Sequence, residues 1–550
     1  MSLSKLIVLN RLRVLGHSLS QLEFGRRFLP NSPSLSVPGF IFLTGSFMTP
    51  RHLKRFAIAC ICLINLAVCS VPQLRGDISL PKLFSDHMVL QRDSQVQVWG
   101  VTEASQKLIV KFNGQESKTT ANANGEWGVV ITTPGAGGPY QLEVVAESGE
   151  PKVVFNDVMV GEVWVCAGQC NMDWPVSKSL NAENEISLSK NFPEIRLFSV
   201  ADGAAVEPLY DFAKAEPWSV CSPDTVKDFS ATAYFFGREI SKKLKENQDL
   251  KGVPIGLIDA SYNQTVCEAW ASRKSLEDSE ALKPLLQFWD EGTDQPASPS
   301  RPGTVFNAMI APMTKFPIRG VVWYQGEANI DRGDQYRTLL PALIQGWRTS
   351  FGNEKLPFYI VQLAPFRYEQ KPPGLLAEIR DAQLKTLKSD PHSRMVVTTD
   401  VGDLAEFNPK NKQVVGQRLA LIALKDIYAD LLPEKGKIDE CSGPIFESSL
   451  VDGNQIRISF KHASGGLKIG DGGTQLTWFV ICGKDKIFVP AVAKIDGETI
   501  LVSSPDVEKP VAVRFAWDDS AQPNLFNSHD LPASPFRTDE FSLISEGRDF

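Results

Sequence analysis

The sequence predicts an α/β protein, a doubly wound parallel-sheet core flanked by an N-terminal and a C-terminal β-domain. Three observations carry this. Between Val160 and about residue 430, apolar runs of strand length alternate with stretches of helical length. Before Val160 and again after 430, short β-rich runs are separated by turn residues. The chain has 550 residues, 43% hydrophobic and 22% charged. That is globular composition and length enough for roughly two to four domains.

Residues 1–47 contain one acidic residue, Glu23, and no clear periodicity; they stand as an unexplained extension. Arg51, Lys54 and Arg55 then precede the apolar run Phe56–Cys69. A basic flank followed by an apolar run too short to span a bilayer is a secretory signal, placed here at 48–70. Ala67 and Cys69 are small residues at the −3 and −1 positions of a cleavage site. The expectations are a translation start at Met48, a mature chain from about residue 70, and export to the periplasm or cell exterior. No membrane span is expected after signal removal. A genuine extension over 1–47 is the competing reading, and a lipoprotein reading of Leu66–Cys69 is weakened by the bulk of Val68.

Three of the nine cysteines fall in this leader. The other six are scattered, and their spacing fixes no disulfide pairing. With six histidines in all and no Cys-x-x-Cys pair, neither a metal nor another cofactor is expected. The net charge of −7 gives nucleic acid and anionic membranes no purchase. Nothing in the sequence sets an oligomeric state.

Residues 77–159 read as a small β-sandwich, with strands at Val96–Gly100, Lys107–Gly114, Trp127–Thr132 and Tyr140–Glu147. Residues 160–430 read as the core. Its strands are expected at 160–167, 254–260, 319–324, 357–363 and 394–400, its helices at 228–246, 334–350, 374–389 and 410–429. Loops at the carboxyl ends of parallel strands form the site in such folds, so chemistry is expected after 167, 260, 324 and 400. Residues 431–545 return to strand character and read as a second, jelly-roll-like β-domain.

The stretch around which this order turns is Gly161-Glu-Val-Trp-Val-Cys-Ala-Gly-Gln-Cys-Asn-Met-Asp-Trp-Pro175. An apolar strand is broken by Gly168, and the polar residues beyond it open a helix. Cys170 thus falls on a strand-to-helix turn, where a nucleophile stands beside backbone N–H groups able to hold an oxyanion.

Four segments together resemble the sialate O-acetylesterase family, carbohydrate esterases of the SGNH-hydrolase superfamily. Leu83–Arg92 is similar to the family's opening segment, and His87 within it reads as structural. Gly168-Gln-Cys-Asn-Met172 matches the family's Gly-Gln-Ser-Asn-Met, with Cys170 at the serine position. Val321-Val-Trp-Tyr-Gln-Gly-Glu-Ala-Asn329 matches Trp-Tyr-Gln-Gly-Glu-Ser-Asn. Asp403-Leu-Ala-Glu-Phe-Asn-Pro-Lys-Asn-Lys412 aligns with the segment Asp-Ile-His-Pro-x-Asn-Lys through Pro409, Asn411 and Lys412. The resemblance spans about 77–545 and implies an SGNH-hydrolase-like core.

It also implies site residues. Cys170 would be the nucleophile, Asn408 stands where the family has its base histidine, and Glu406 or Asp403 would orient a base. Gln169, Asn263, Gln325, Gly326, Glu327 and Asn329 would form the oxyanion and substrate-binding set, with Gln325 donating toward the oxyanion and Glu327 ordering the loops. At Asn263-Gln264 the family usually has glycines, and bulkier residues there would restrict φ and crowd the cavity. Trp174, Tyr262, Trp323 and Tyr324 are aromatic candidates for a sugar face.

Asparagine cannot serve as a base near neutral pH, whereas a cysteine partly escapes the need through its own thiolate. Two readings therefore stand. One is a secreted esterase removing O-acetyl groups from sialic acid or other acetylated carbohydrates through an acyl-enzyme. The other is a degenerate homologue that binds acetylated glycans or a partner without turnover.

Overall fold

A computed structural model describes residues 77–247, 252–292, 297–470 and 472–548. The extension at 1–47 and the signal expected at 48–70 lie outside the described residues. Seven strands precede the first helix of the core: β1 Val89–Gln91, β2 Gln95–Val101, β3 Lys107–Phe112, β4 Gln115–Thr120, β5 Glu126–Thr132, β6 Gly137–Ala146 and β7 Lys152–Gly168. β2 pairs with β5, while β3, β4 and β6 join β1 and β7 in a second sheet. Val96, Val98, Val110 and Val144 are buried between them, as period-two alternation predicts for a half-buried sheet.

β7 is one strand of 17 residues. It pairs antiparallel with β6 at its start and parallel with core strands at its end. The boundary expected between 159 and 160 therefore falls inside a single strand. The polar pair Asn156-Asp157, with Asp157 at φ 51, marks an irregularity in the ladder rather than a chain break.

The remaining core strands are β8 Ile195–Val200, β9 Ala215–Val220, β10 Ile255–Ser261, β11 Gly320–Tyr324, β12 Phe358–Val361 and β13 Ser393–Val396. They order as β13-β12-β11-β7-β10-β8-β9, parallel except for the β8–β9 pair. Five core helices bear on the site: α1 Cys170–Asp173, α2 Ala231–Lys245, α3 Gly333–Ser350, α4 Leu375–Ser389 and α5 Lys412–Asp426. Trp164 packs edge-on to Phe236 of α2, whereas Trp323 packs edge-on to Trp347 of α3. Trp164 lies opposite Gly320, and Trp323 opposite Ala167, so the two tryptophans point to opposite sides of the sheet. Helices thus cover both faces, which is why every residue of β10, β11 and β12 is buried.

After α5 come β14 Ile445–Asp452, β15 Gln455–Lys461, β16 Leu467–Ile469, β17 Phe479–Cys482, β18 Phe488–Pro490, β19 Val492–Asp496, β20 Thr499–Ser503, β21 Ala512–Phe515, β22 Leu525–Asn527 and β23 Phe536–Arg537. They form two four-stranded sheets, β14-β15-β20-β19 and β18-β17-β21-β23, and the pair β16-β22. Phe536 joins the two sheets, stacking on Phe446 at 4.9 Å and lying 5.6 Å from Phe515. This end also ties to the core: the Asp519 carboxylate accepts from the backbone N–H groups of Gly374 and Leu376 that open α4. Among the described residues no helix is long and apolar enough to cross a membrane.

Candidate active site

Three strands deliver their loops at one level. Gly168 of β7 lies opposite Ser261 of β10 and opposite Tyr324 of β11. At Gly168 the chain must turn sharply while touching its neighbour. Its φ is +146, and a Cβ there would stand 2.1 Å from the Tyr324 carbonyl oxygen. Only glycine fits, and the next N–H, that of Gln169, donates to the same carbonyl at 3.1 Å. The chain then enters α1 with Cys170 as its first residue, among N–H groups that have no acceptor within the helix.

The two neighbours of Cys170 are held by one carboxylate. Glu327, reached across Gly326 at φ +154, accepts from Gln169 Nε2 at 2.5 Å and from Asn171 Nδ2 at 2.6 Å. Asn171 Nδ2 also approaches the Phe407 carbonyl at 3.4 Å, which brings the 403–408 loop to the turn at Cys170. Burial pushes the Glu327 carboxyl above its usual range, against its own N–H, Asn171, Lys412 and Gln169, which pull it down.

Gln325 does not donate toward an oxyanion, contrary to expectation. Its Nε2 is taken by Asn329 Oδ1 at 2.8 Å, Thr265 O at 3.2 Å and Gln169 Oε1 at 3.3 Å. Its Oε1 accepts from the Tyr336 hydroxyl at 2.9 Å. Asn329 is equally committed: its Oδ1 also accepts from Cys267 N, and its Nδ2 donates to Glu268. Both are framework, locking β11 to the loop after β10. Asn263 and Gln264 are exposed, so their side chains do not fill the cavity. Gln264 takes φ 60, the left-handed conformation that a glycine would adopt without strain.

The 403–408 loop carries no histidine. Asn408 is partly buried, and its Oδ1 has no hydrogen-bond partner. Asp403 is exposed and its carboxylate accepts from its own loop, at Ala405 N, 2.9 Å away. Glu406 is exposed too. Among the described residues, neither carboxylate forms a hydrogen bond to Asn408 or Cys170. The described histidines are engaged elsewhere. His87 pairs with Asp157 at 2.7 Å, the structural role expected of it. His462 meets Glu440 and His529 sits beside Ser528 in the C-terminal sheets. His392 stands at the start of β13, at the opposite end from the site loop.

Cys170 is buried, at 7% exposure. Burial, and then the charge of Glu327, push its thiol up to about 12, while Lys412, the Asn171 N–H and Gln169 pull it down. At neutral pH it is a thiol. The six described cysteines are all unpaired and buried.

Of the aromatic candidates, Trp323 and Tyr324 are fully buried and offer no face to a sugar. Trp174 and Tyr262 are partly exposed. Sequence reasoning missed Phe366, Tyr368 and Phe407, which pack edge-to-face at 4.9 and 5.2 Å beside the nucleophile turn. It also passed over Asn171 and Lys412 as mere markers of alignment. Asn171 Oδ1 accepts from Lys412 Nζ at 2.5 Å, and that amine lies 5.2 Å above the Tyr324 ring.

The pattern of the family described as "Carbohydrate esterase, sialic acid-specific acetylesterase" matches residues 160–425. The chain is similar to the human sialate O-acetylesterase, 31% identical over 392 residues, which is 64% of this chain and 72% of that one. The mouse sialate O-acetylesterase is 27% identical over 521 residues, 82% of this chain and 92% of that one. Among solved structures, a carbohydrate acetylesterase from Xanthomonas citri superposes with a TM-score of 0.75 at 33% identity. The match covers 84% of this chain and 100% of that one.

Proposed function

The chain belongs to the sialate O-acetylesterase family of carbohydrate esterases, and from that premise we propose that it removes O-acetyl groups from an acetylated carbohydrate at Cys170. The observation that carries this reading is the nucleophile turn itself. Gln169 and Asn171 are clamped by Glu327 on either side of Cys170, so the sulfur is fixed at the mouth of three strand-end loops. An acetyl carbonyl placed against Sγ would lie beside the free N–H groups at the start of α1, the donors available to a developing oxyanion. The sugar would meet Trp174, Tyr262 and Phe407 around that mouth. Export through the 48–70 segment is part of the same proposal, because acetylated glycans of cell surfaces lie outside the cytoplasm.

A second reading is favoured by one specific observation. The thiol sits at about 12, and no imidazole stands at 408. Loss of the base histidine in a serine protease costs on the order of 10⁶ in turnover. A family member so altered binds the acetylated sugar and releases it unchanged.

Acetate release from O-acetylated sialic acid and acetylated xylan decides between them. Release that disappears in Cys170→Ala supports the esterase. No release from either substrate, together with a raised melting temperature in their presence, gives the binding reading. Release that survives Cys170→Ala overturns the placement of the site.

A further inference from the structure

A site with a nucleophile and no histidine still contains one buried amine to which the proposed hydrolysis has so far given no role. Lys412 is 1% exposed and opens α5 behind the capping residue Asn411, whose Oδ1 takes the Val414 N–H. Lysines are rarely buried at a helix start, where the positive end of the dipole opposes a cation. Its hydrogen bond goes to a neutral amide, Asn171 Oδ1, on the residue next to the nucleophile. The titratable groups facing it are Cys170 from α1, and Tyr324 and Glu327 from β11 and the turn after it. Among the described residues it makes no salt bridge with a carboxylate within 4.0 Å.

We propose that Lys412 is the proton acceptor for Cys170, an amine doing in this chain what an imidazole at 408 would otherwise do. The inference rests on the esterase reading. In the first half-reaction the Cys170 S–H bond breaks, its proton goes to the Nζ lone pair, and sulfur attacks the acetyl carbon. The carbonyl π pair moves to oxygen. On collapse the bond from that carbon to the sugar oxygen breaks, and the departing alkoxide takes a proton from the Lys412 ammonium. In the second half-reaction water attacks the thioester and gives its proton to the neutral amine. The oxyanion pair re-forms the carbonyl as the C–S bond breaks, acetic acid leaves and ionises in solvent, and the thiolate takes the proton back from the Lys412 ammonium.

Burial lowers the Lys412 amine to about 7, against the charges of Glu327 and Cys170, which raise it. The amine is therefore substantially neutral at neutral pH, the condition for a base. A buried lysine is the side chain whose basicity moves most readily into this range.

The test reads Cys170 itself as well as turnover. Alkylation of Cys170 by iodoacetamide, followed by mass spectrometry from about pH 5.5 to 9.5, is compared with acetate release for the full chain, Lys412→Met and Lys412→Arg. In the parent, alkylation should rise through about pH 7, where the amine titrates. Lys412→Met should push that rise above pH 9 and slow alkylation at pH 8 by about tenfold or more. Lys412→Arg keeps a charge but cannot accept a proton, so it should lose acetate release by about 10²-fold, within the range of a general base. Melting temperatures identify a variant that fails to fold, and where the methionine variant does so the arginine variant decides. An unshifted alkylation profile in Lys412→Met, or full acetate release in Lys412→Arg, overturns the proposal even where the parent is an active esterase. No acetate release from the parent, with the alkylation profile still governed by Lys412, sinks the hydrolytic reading and leaves the pair standing.

Discussion

The turn after β11 and the loop at 403–408 both reach residues flanking Cys170 and differ in almost every physical respect. In the first, Gln325, Glu327 and Asn329 have their side chains spent on hydrogen bonds to α1, to the loop after β10 and to Tyr336. In the second, Asp403, Glu406 and Phe407 are exposed, and the Asn408 oxygen is buried without a partner. One region clamps the residues on either side of Cys170; the other is where the family resemblance would put a base. The framework here is intact while the proton-handling loop has changed. Positioning depends on many mutually satisfied groups, so losing any one is costly, whereas a base on an exposed loop can be exchanged with little effect on the fold.

The largest effect should come from rebuilding the altered loop on the intact frame. Cys170→Ser with Asn408→His restores an alcohol and an imidazole on the residues that Glu327 positions. General acid–base catalysis contributes about 10²–10⁴, so acetate release should rise by up to that order, roughly 3–5 kcal/mol of barrier, and by less where Lys412 already serves as the base. The single changes should yield far less than their share, because such groups act as a unit. A double variant no better than the parent would mean that the frame is not in a productive geometry.

Removing the clamp is the next test. Glu327→Ala leaves Gln169 Nε2 and Asn171 Nδ2 without their acceptor, at about 1–3 kcal/mol for each buried group. Urea unfolding should show a loss of roughly 2–4 kcal/mol. A loss below about 0.5 kcal/mol, the scale of an ordinary surface substitution, would show that the clamp is replaceable.

The pH dependence of stability separates the two regions differently. Lys412 has a folded pKa below its unfolded one, held down by burial. Between about 7 and the ordinary lysine value the unfolded chain binds more protons than the folded one. Stability contributed by this group is therefore lowest below pH 7 and rises with pH across that window. Lys412→Met should remove that rise and stabilise the chain most at about pH 6. Chemical unfolding at pH 6 and 9 measures it; equal effects at both would place the amine in water.

The sequence made the frame legible because its signals are local. Gly168, Cys170, Gly326 and Glu327 sit on two short turns, each following an apolar strand; the apolar runs located the turns, and the family resemblance picked out the residues on them. β8 and β9 were not legible: Ile195–Val200 is short, and Ala215–Val220 alternates weakly around Pro217. The continuity of β7 was hidden by Asn156-Asp157. Gln325 was misread because its acceptors, Thr265 and Gln169, come from other strand ends. The same holds for Lys412, whose bond to Asn171 spans 241 positions. A hydrogen-bond partner that arrives only through topology leaves no mark in spacing.

The smallest effect tests whether the exposed acids matter at all. Asp403 closes a turn onto Ala405 N at 2.9 Å, a bond of the side-chain-to-backbone kind that stabilises loops by about 0.5–1.5 kcal/mol when shielded. At an exposed position Asp403→Ala should cost about 0.5 kcal/mol or less and leave Cys170 alkylation unchanged. Its value lies in the rebuilt enzyme. In the Cys170→Ser, Asn408→His background a newly placed imidazole needs an acceptor for its second N–H to fix its tautomer. If Asp403 keeps its bond to Ala405, then Asp403→Ala remains silent there as well, and Glu406→Ala becomes the informative change. If instead activity in the rebuilt enzyme falls by about tenfold or more on Asp403→Ala, the carboxylate has left its turn for the imidazole. The loop would then hold the means to orient an imidazole at 408.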